Sequence, residues 1–222
     1  MKKLSIILLL IGNLAFAQVT KDLGEFENVS VFDRISVQLI PSKENRIEIT
    51  GSRSGDAELV NKNGTLKIRM ALRKLLEGED VSAKLYFKEI NEISASEGSY
   101  VICEAPIKQT ALKVDAKEGS EIRLTLDVKK ANLRAVTGGI LKIQGKATNS
   151  DVSLGTGGVL QAMDLQTVQT TIKITTGGEA DVRASELVDA KVRAGGNIVV
   201  FGSPQQINKS ITLGGTITES KR

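Results

Sequence analysis

The chain predicts an all-β fold, a parallel β-helix with coils of about 19–21 residues and an irregular β cap on its N-terminal side. Two observations carry that expectation. A glycine signal recurs as Thr137-Gly138-Gly139, Thr156-Gly157-Gly158, Thr176-Gly177-Gly178 and Ala194-Gly195-Gly196, with Gly98-Ser99, Gly119-Ser120 and Gly214-Gly215 in the same role. The second residues of these signals are spaced by 21, 19, 19, 20, 18 and 19 residues, and a period near 20 marks a solenoid. Each signal is also followed by the same alternation. Val101, Ile122, Leu141, Leu160, Ala180 and Ile198 come two residues later, then Cys103, Leu124, Ile143, Ala162, Val182 and Val200, with mostly polar residues between. Period-two alternation describes a strand with one buried face.

In chain order, Lys2 and Lys3 precede an apolar stretch that closes on Ala15-Phe16-Ala17, the pattern of a secretory signal peptide. Residues 1–17 are expected to be removed, leaving Gln18 first. The apolar run is short of the ~20 residues that span a bilayer. No cysteine follows it, so acylation at the cleavage site is not available, and no later segment is apolar enough to span. The expectation is export, to the periplasm, the outer-membrane surface or the medium.

Residues 18–222 are expected to form a single solenoid domain. Within it, 18–94 hold irregular N-terminal coils and a cap, and 95–222 hold the regular coils. "RISVQLIPS", "NRIEITG", "GTLKIRM" and "VSAKLYFK" alternate like strands, and Asn63-Gly64 is a strong hairpin signal. "ALRKLLEGED" has some helical character but is short and contains Gly78, so an exposed loop or single turn fits it as well.

From residue 95 on, a second alternating pair recurs: Leu112/Val114, Leu133/Ala135, Val152/Leu154, Ile172/Ile174, Ala190/Val192 and Ile211/Leu213. A looser third set is Ile107, Val128, Val168, Leu187 and Ile207. Each unit is too short for a strand–helix–strand crossover of about 30 residues, so two or three short strands per coil are expected. Stacked coils place equivalent residues in columns about 4.8 Å apart. Glycine suits the corners because it reaches positive φ freely and lets the next backbone approach. The competing reading is an antiparallel sandwich with turns every 8–12 residues or so; the shared column identity of the apolar positions favours the solenoid.

These residues resemble the head GIN domain family of auto-transporter adhesins, common in Bacteroidetes-type bacteria. The resemblance rests on the signal peptide followed by Gln18, on "FDRISVQLIPSKENRIEITG", on the recurring corner signals and on "AGGNIVVFGSPQQINKSITLGGTI". It implies a right-handed parallel β-helix and an adhesin-like role, and it carries no catalytic residues. Many corners here read Gly-Gly where the family more often has Ser-Gly-Ser-Gly.

The composition removes several chemistries. There is no histidine and no tryptophan, so His-based triads and His-ligated zinc are excluded. Setting aside Lys2 and Lys3, the 30 basic residues become 28 against 26 acidic, too balanced to indicate nucleic acid. Cys103 is the only cysteine, so no internal disulfide forms, and its inward position reads as core rather than nucleophile. The Gly-Gly signals lack the Lys-[Ser/Thr] of a phosphate loop. Tyr100 and Phe201 are too isolated to make a sugar-stacking platform, and no paired-carboxylate site is visible.

One pattern remains. Outward positions of the second strand give Lys113, Arg134, Ser153, Lys173, Lys191 and Thr212, an interrupted basic stripe with Arg193 beside it. It would attract anionic glycans or lipid head groups through summed potential, or serve only as a solvated face that discourages edge pairing. The sequence thus reads as a non-enzymatic, exported binding or adhesion module of the cell envelope, without cofactor or metal, whose partners are envelope or extracellular glycans or proteins. Two alternatives stand beside it: a polysaccharide-active lyase or hydrolase on the same fold, and a purely structural envelope protein that assembles end to end.

Overall fold

Alternation along the chain buries one face of nearly every strand. In Glu121–Val136, Ile122, Leu124, Leu126, Val128, Leu133 and Ala135 are buried, while Arg123, Asp127, Lys129, Lys130 and Arg134 are exposed. The computed structural model describes residues 19–220, and the expected signal peptide lies outside the described residues. These form a β-solenoid of about seven turns.

The strands of the N-terminal part are Val19–Asp22 (β1), Asn28–Val31 (β2), Ser36–Pro41 (β3), Arg46–Thr50 (β4), Ala57–Lys62 (β5), Thr65–Met70 (β6), Ser82–Phe87 (β7) and Glu92–Ala95 (β8). Three long strands follow, Tyr100–Ala116 (β9), Glu121–Val136 (β10) and Ile140–Gly155 (β11). The chain then continues through Gly158–Gln161 (β12), Leu165–Ile174 (β13), Gly178–Arg183 (β14), Leu187–Ala194 (β15), Asn197–Phe201 (β16), Gln206–Leu213 (β17) and Thr216–Glu219 (β18).

Two principal walls result. The first runs β1–β4–β7–β3–β9–β10–β11–β12–β14–β16–β18, parallel from β7 onward and antiparallel at β1–β4 and β4–β7. The second runs β5–β6–β2–β8–β9–β10–β11–β13–β15–β17, with only β5–β6 antiparallel. The Asn63-Gly64 hairpin joins β5 to β6 with both residues at positive φ, 51° and 73°. β9, β10 and β11 bend between the walls and pair along a third, shorter face at Ile107–Leu126–Gly145–Leu165.

The inward columns follow the spacing. Val37, Val101, Ile122, Leu141, Leu160, Ala180, Ile198 and Ile217 are in register down the first wall. On the second wall the column reads Val29, Ile93, Val114, Leu133, Val152, Ile172 and Ala190. Not every inward residue is apolar. Thr167 and Thr170 are buried, their hydroxyls 2.8 Å apart, and Thr167 Oγ1 donates to the Arg183 carbonyl.

The corners repeat a two-residue turn. Glu97-Gly98, Glu118-Gly119, Thr137-Gly138 and Thr156-Gly157 all have positive φ at both residues. Each corner bonds to the next, as Gly98 N–H to Glu118 O (3.0 Å), Gly119 N–H to Thr137 O (3.1 Å) and Gly138 N–H to Thr156 O (3.1 Å). The residue after each turn meets an earlier coil: a Cβ on Gly139 would stand 2.2 Å from the Ala116 carbonyl oxygen. In an earlier corner the same place is held by buried Ser120, whose Oγ donates to the Ala95 carbonyl at 2.8 Å.

Candidate functional site

The outward residues of the second wall form two neighbouring columns. One reads Asp115, Arg134, Ser153, Lys173, Lys191, Ser210; the other reads Glu92, Lys113, Asn132, Asp151, Thr171, Asp189, Asn208. The structure thus aligns Arg134, Lys173 and Lys191 as the spacing predicts, with Ser153 as the uncharged rung. Arg193 is exposed two residues beyond Lys191 on β15.

Lys113 is misplaced by the spacing argument. Its rung partner is Asn132, and Asp115 takes the place opposite Arg134. The cause is a two-residue insertion in β9. Cys103 pairs with Leu124 but Ile107 with Leu126, so residues between them bulge out of the ladder and everything after is displaced by two. The 21-residue first interval records that insertion. At the other end Ser210, not Thr212, pairs with Lys191. The apolar pairs shift likewise, to Val114/Ala116 opposite Leu133/Ala135 and to Lys209/Ile211 opposite Ala190/Val192.

Ion pairs decide how much of this charge is available. Arg134 Nη1 meets both oxygens of Asp115 at 2.9 and 3.1 Å, and Lys117 reaches the same carboxylate at 3.2 Å. Lys113 pairs with Glu92 at 2.9 Å, Lys130 with Asp151 at 2.8 Å and Lys191 with Asp189 at 3.0 Å. Lys173 and Arg193 have no ion-pair partner among the described residues. The wall therefore pairs off Lys113, Lys130 and Lys191, sets Arg134 and Lys117 against the single Asp115 carboxylate, and leaves Lys173 and Arg193 unpaired among the described residues.

The first wall carries a different surface, invisible to a search for like-charge stripes. Ile102, Arg123, Lys142, Gln161 and Asp181 stand in one outward column and border a shallow depression of about 390 Å³. Beside the depression, outside its lining, Glu121 is bonded by Arg123 and, at 3.0 Å, by Lys142. Burial pushes the Glu121 carboxyl up, but the bonds from Arg123 and Lys142 outweigh it and hold the group below its usual range. Arg123 also lies over the Tyr100 ring, 5.6 Å from its centroid. At the far end burial, with Glu179 beside it, raises Asp181. Arg123 and Lys142 border the depression together with the carboxylates Glu104, Asp164 and Asp181.

Cys103 lines the interior, with its thiol 3.3 Å from the Ala105 carbonyl oxygen, and burial pushes it up to about 11. It is a core thiol and not a thiolate nucleophile at neutral pH. Among the described residues no group of three or more His, Cys, Asp or Glu is placed to hold a metal ion, and no helix is long and apolar enough to cross a membrane.

Comparison with known proteins agrees with this geometry. A family model described as "Putative auto-transporter adhesin, head GIN domain" matches residues 25–204. No curated protein sequence matches the chain. Among solved structures, a "putative adhesin" from Bacteroides fragilis NCTC 9343 is similar with a TM-score of 0.86 at 20% identity, covering 94% of this chain and 98% of that one. A "putative adhesin" from Parabacteroides merdae ATCC 43184 gives 0.73 at 18% identity, over 95% and 98% of the two chains. A "putative lipid binding protein" from Parabacteroides distasonis ATCC 8503 gives 0.70 at 17%, over 95% and 98%. At these identities the likeness is one of fold.

Proposed function

The chain belongs to the head GIN domain family, and we propose that it is a non-enzymatic, exported binding or adhesion module of the cell envelope whose contact surfaces are the solenoid walls. The family and two of these structural neighbours carry adhesin names. The observation that carries the reading is the unbroken register of the second wall. It stands Arg134, Lys173 and Lys191 in one column, with Arg193 beside them. Rungs about 4.8 Å apart suit an extended polymer better than a compact substrate. We assign Lys173 and Arg193, with Lys191 between them in its pair with Asp189, to an anionic ligand, with acidic envelope or extracellular glycans as its class. Lys113 is left out because it stands off that column, opposite Asn132.

The test is a binding screen of the protein against acidic and neutral polysaccharides, run beside lyase and hydrolase assays on the same polymers. Retention of an acidic polymer without its cleavage supports the reading. Turnover of any of them would replace it with the enzyme.

A further inference from the structure

The row of corners that leads from the second wall to the first is tight except at one place. β2 passes to β3 through Asp33-Arg34 and β8 to β9 through Glu97-Gly98, with positive φ at all four residues. β6 and β7, which pair with β2 and β3, are joined instead by residues 71–81. This enlarged corner turns three leucines to solvent, while Val81 at its end is buried. Leu72 is 74% exposed, Leu75 50% and Leu76 45%.

The corner is held rather than loose. Buried Asp33 accepts Met70 N–H at 2.9 Å and Leu76 N–H at 3.0 Å through its two carboxylate oxygens. Gly78 N–H donates to the Asp33 carbonyl at 3.0 Å, and a Cβ on Gly78 would stand 2.3 Å from that oxygen. Leu76 has φ of 62°, a conformation that glycine or asparagine adopts without strain and a branched apolar residue does not. Leucine there contributes nothing to the turn and is presented outward.

The charges around the leucines are sorted. Residues 72–76 carry Arg73 and Lys74 and no acid. The acids at the base of the loop are engaged: Glu77 with Arg53, Glu79 with Arg34 at 2.9 Å and Asp80 with the Ser52 hydroxyl at 3.4 Å. Lys74 reaches Glu77 only at 3.7 Å, and Arg73 has no ion-pair partner among the described residues.

We propose that this corner is a membrane-contact tip: Leu72, Leu75 and Leu76 enter the interfacial layer of a phospholipid bilayer while Arg73 and Lys74 meet the lipid phosphates. An exposed, clamped loop of leucines needs no complementary pocket in a bilayer, as it would in a protein partner. Interleaved cations match the phosphate level just above the buried apolar groups. The tip lies one strand from the β5 edge of the second wall, so contact there leaves both walls free. The proposal does not rest on those walls binding anything.

The chain has no tryptophan, so Leu75→Trp places a single fluorophore at the tip. With phosphatidylethanolamine/phosphatidylglycerol vesicles its emission shifts to the blue and is quenched by brominated acyl chains, and the parent protein co-sediments with the vesicles. Leu72→Ser/Leu75→Ser/Leu76→Gly lowers vesicle partitioning by at least about tenfold with unchanged thermal melting. Lys173→Ser/Arg193→Ser leaves partitioning unchanged. A parent that does not bind vesicles overturns the proposal. So does binding retained by the triple variant, or lost in the wall variant. A blue shift that needs no vesicles and grows with protein concentration also overturns it, in favour of a second copy as the occupant.

Discussion

The Lys209 ammonium stands 2.8 Å from the Glu219 carboxylate across the C-terminal edge of the solenoid. Both residues occupy inward positions, Lys209 below Ala190 and Glu219 below Val200. One ion pair thus closes two inward columns, one on each wall, that apolar side chains fill in the earlier regular coils. Inward-pointing charge at an edge opposes the addition of another strand. Replacing both, as Lys209→Val/Glu219→Val, is expected to produce concentration-dependent self-association in sedimentation velocity. A parent profile that already depends on concentration, unchanged in the variant, would show that the pair is not a barrier. The end-to-end assembly entertained from the sequence finds no support in this edge.

Lys142 and Ile143 are successive residues on opposite faces of β11. Ile143 is 2% exposed in the core, whereas Lys142 reaches out to Glu121. Ile143→Asp buries an unpaired carboxylate and is expected to cost several kcal/mol; Lys142→Asp, at the surface, costs about 1 kcal/mol or less. Thermal melts of the two variants check the difference, and equal melting temperatures would refute the inward register.

Much of that register was legible because the period-two code and the corner glycines are local. Ile122, Leu141 and Leu160 fall in one column as the spacing requires. Lys113 falls outside the column because the β9 bulge lies between it and the preceding corner. Counted back from the following corner, Asp115, Arg134, Ser153, Lys173, Lys191 and Ser210 align without error. Thr167, Thr170 and the Lys209–Glu219 pair were hidden, since a polar residue in an alternating pattern reads as outward. The Asp33 clamp joins residues 37 and 43 positions apart, beyond any local signal.

Two corner residues with similar sequence roles are expected to respond oppositely. Thr137 is exposed with φ of 51°, a strained state for a β-branched residue, and Asn-Gly is the favoured pair for such a turn. Thr137→Asn is expected to raise stability by about 0.5–1 kcal/mol. Gly139→Ser drives a Cβ to 2.2 Å from the Ala116 carbonyl oxygen, and is expected to lower it by about 2–3 kcal/mol. Denaturant midpoints of the pair decide, and a stabilised Gly139→Ser would contradict the close approach.

Acid should act through the first wall. Glu121 is held below its ordinary value of 4.5 in the folded chain, so the stability it contributes is present above that value and is lost as pH falls through its folded value. Asp181 is raised; folding favours its protonated form, and its contribution declines as pH rises past the ordinary value of 3.8. Glu121→Gln is expected to flatten the fall in melting temperature below pH 4.5. Asp181→Asn is expected to raise the melting temperature at pH 7 and to leave it unchanged at pH 2. Identical pH profiles for parent and Glu121→Gln would remove the Arg123–Glu121–Lys142 contact from the account.

The side-wall reading is tested most directly by binding to an acidic polysaccharide across a salt series. Lys173 and Arg193 have no ion-pair partner among the described residues, whereas Lys191, on the rung next to Lys173 and about 4.8 Å away, shares its charge with Asp189. The field at the wall is set by the two unpaired cations and is screened over about 8 Å at physiological salt. Lys113 is already paired with Glu92, and Arg134 shares the Asp115 carboxylate with Lys117. The account predicts that the parent binds the acidic polymer but not a neutral one, with affinity falling as salt rises. Lys173→Ser/Arg193→Ser should weaken that binding by about three- to tenfold, and Lys113→Ser should leave it nearly unchanged. Binding that is insensitive to salt, or equally reduced by Lys113→Ser, would contradict the side-wall account.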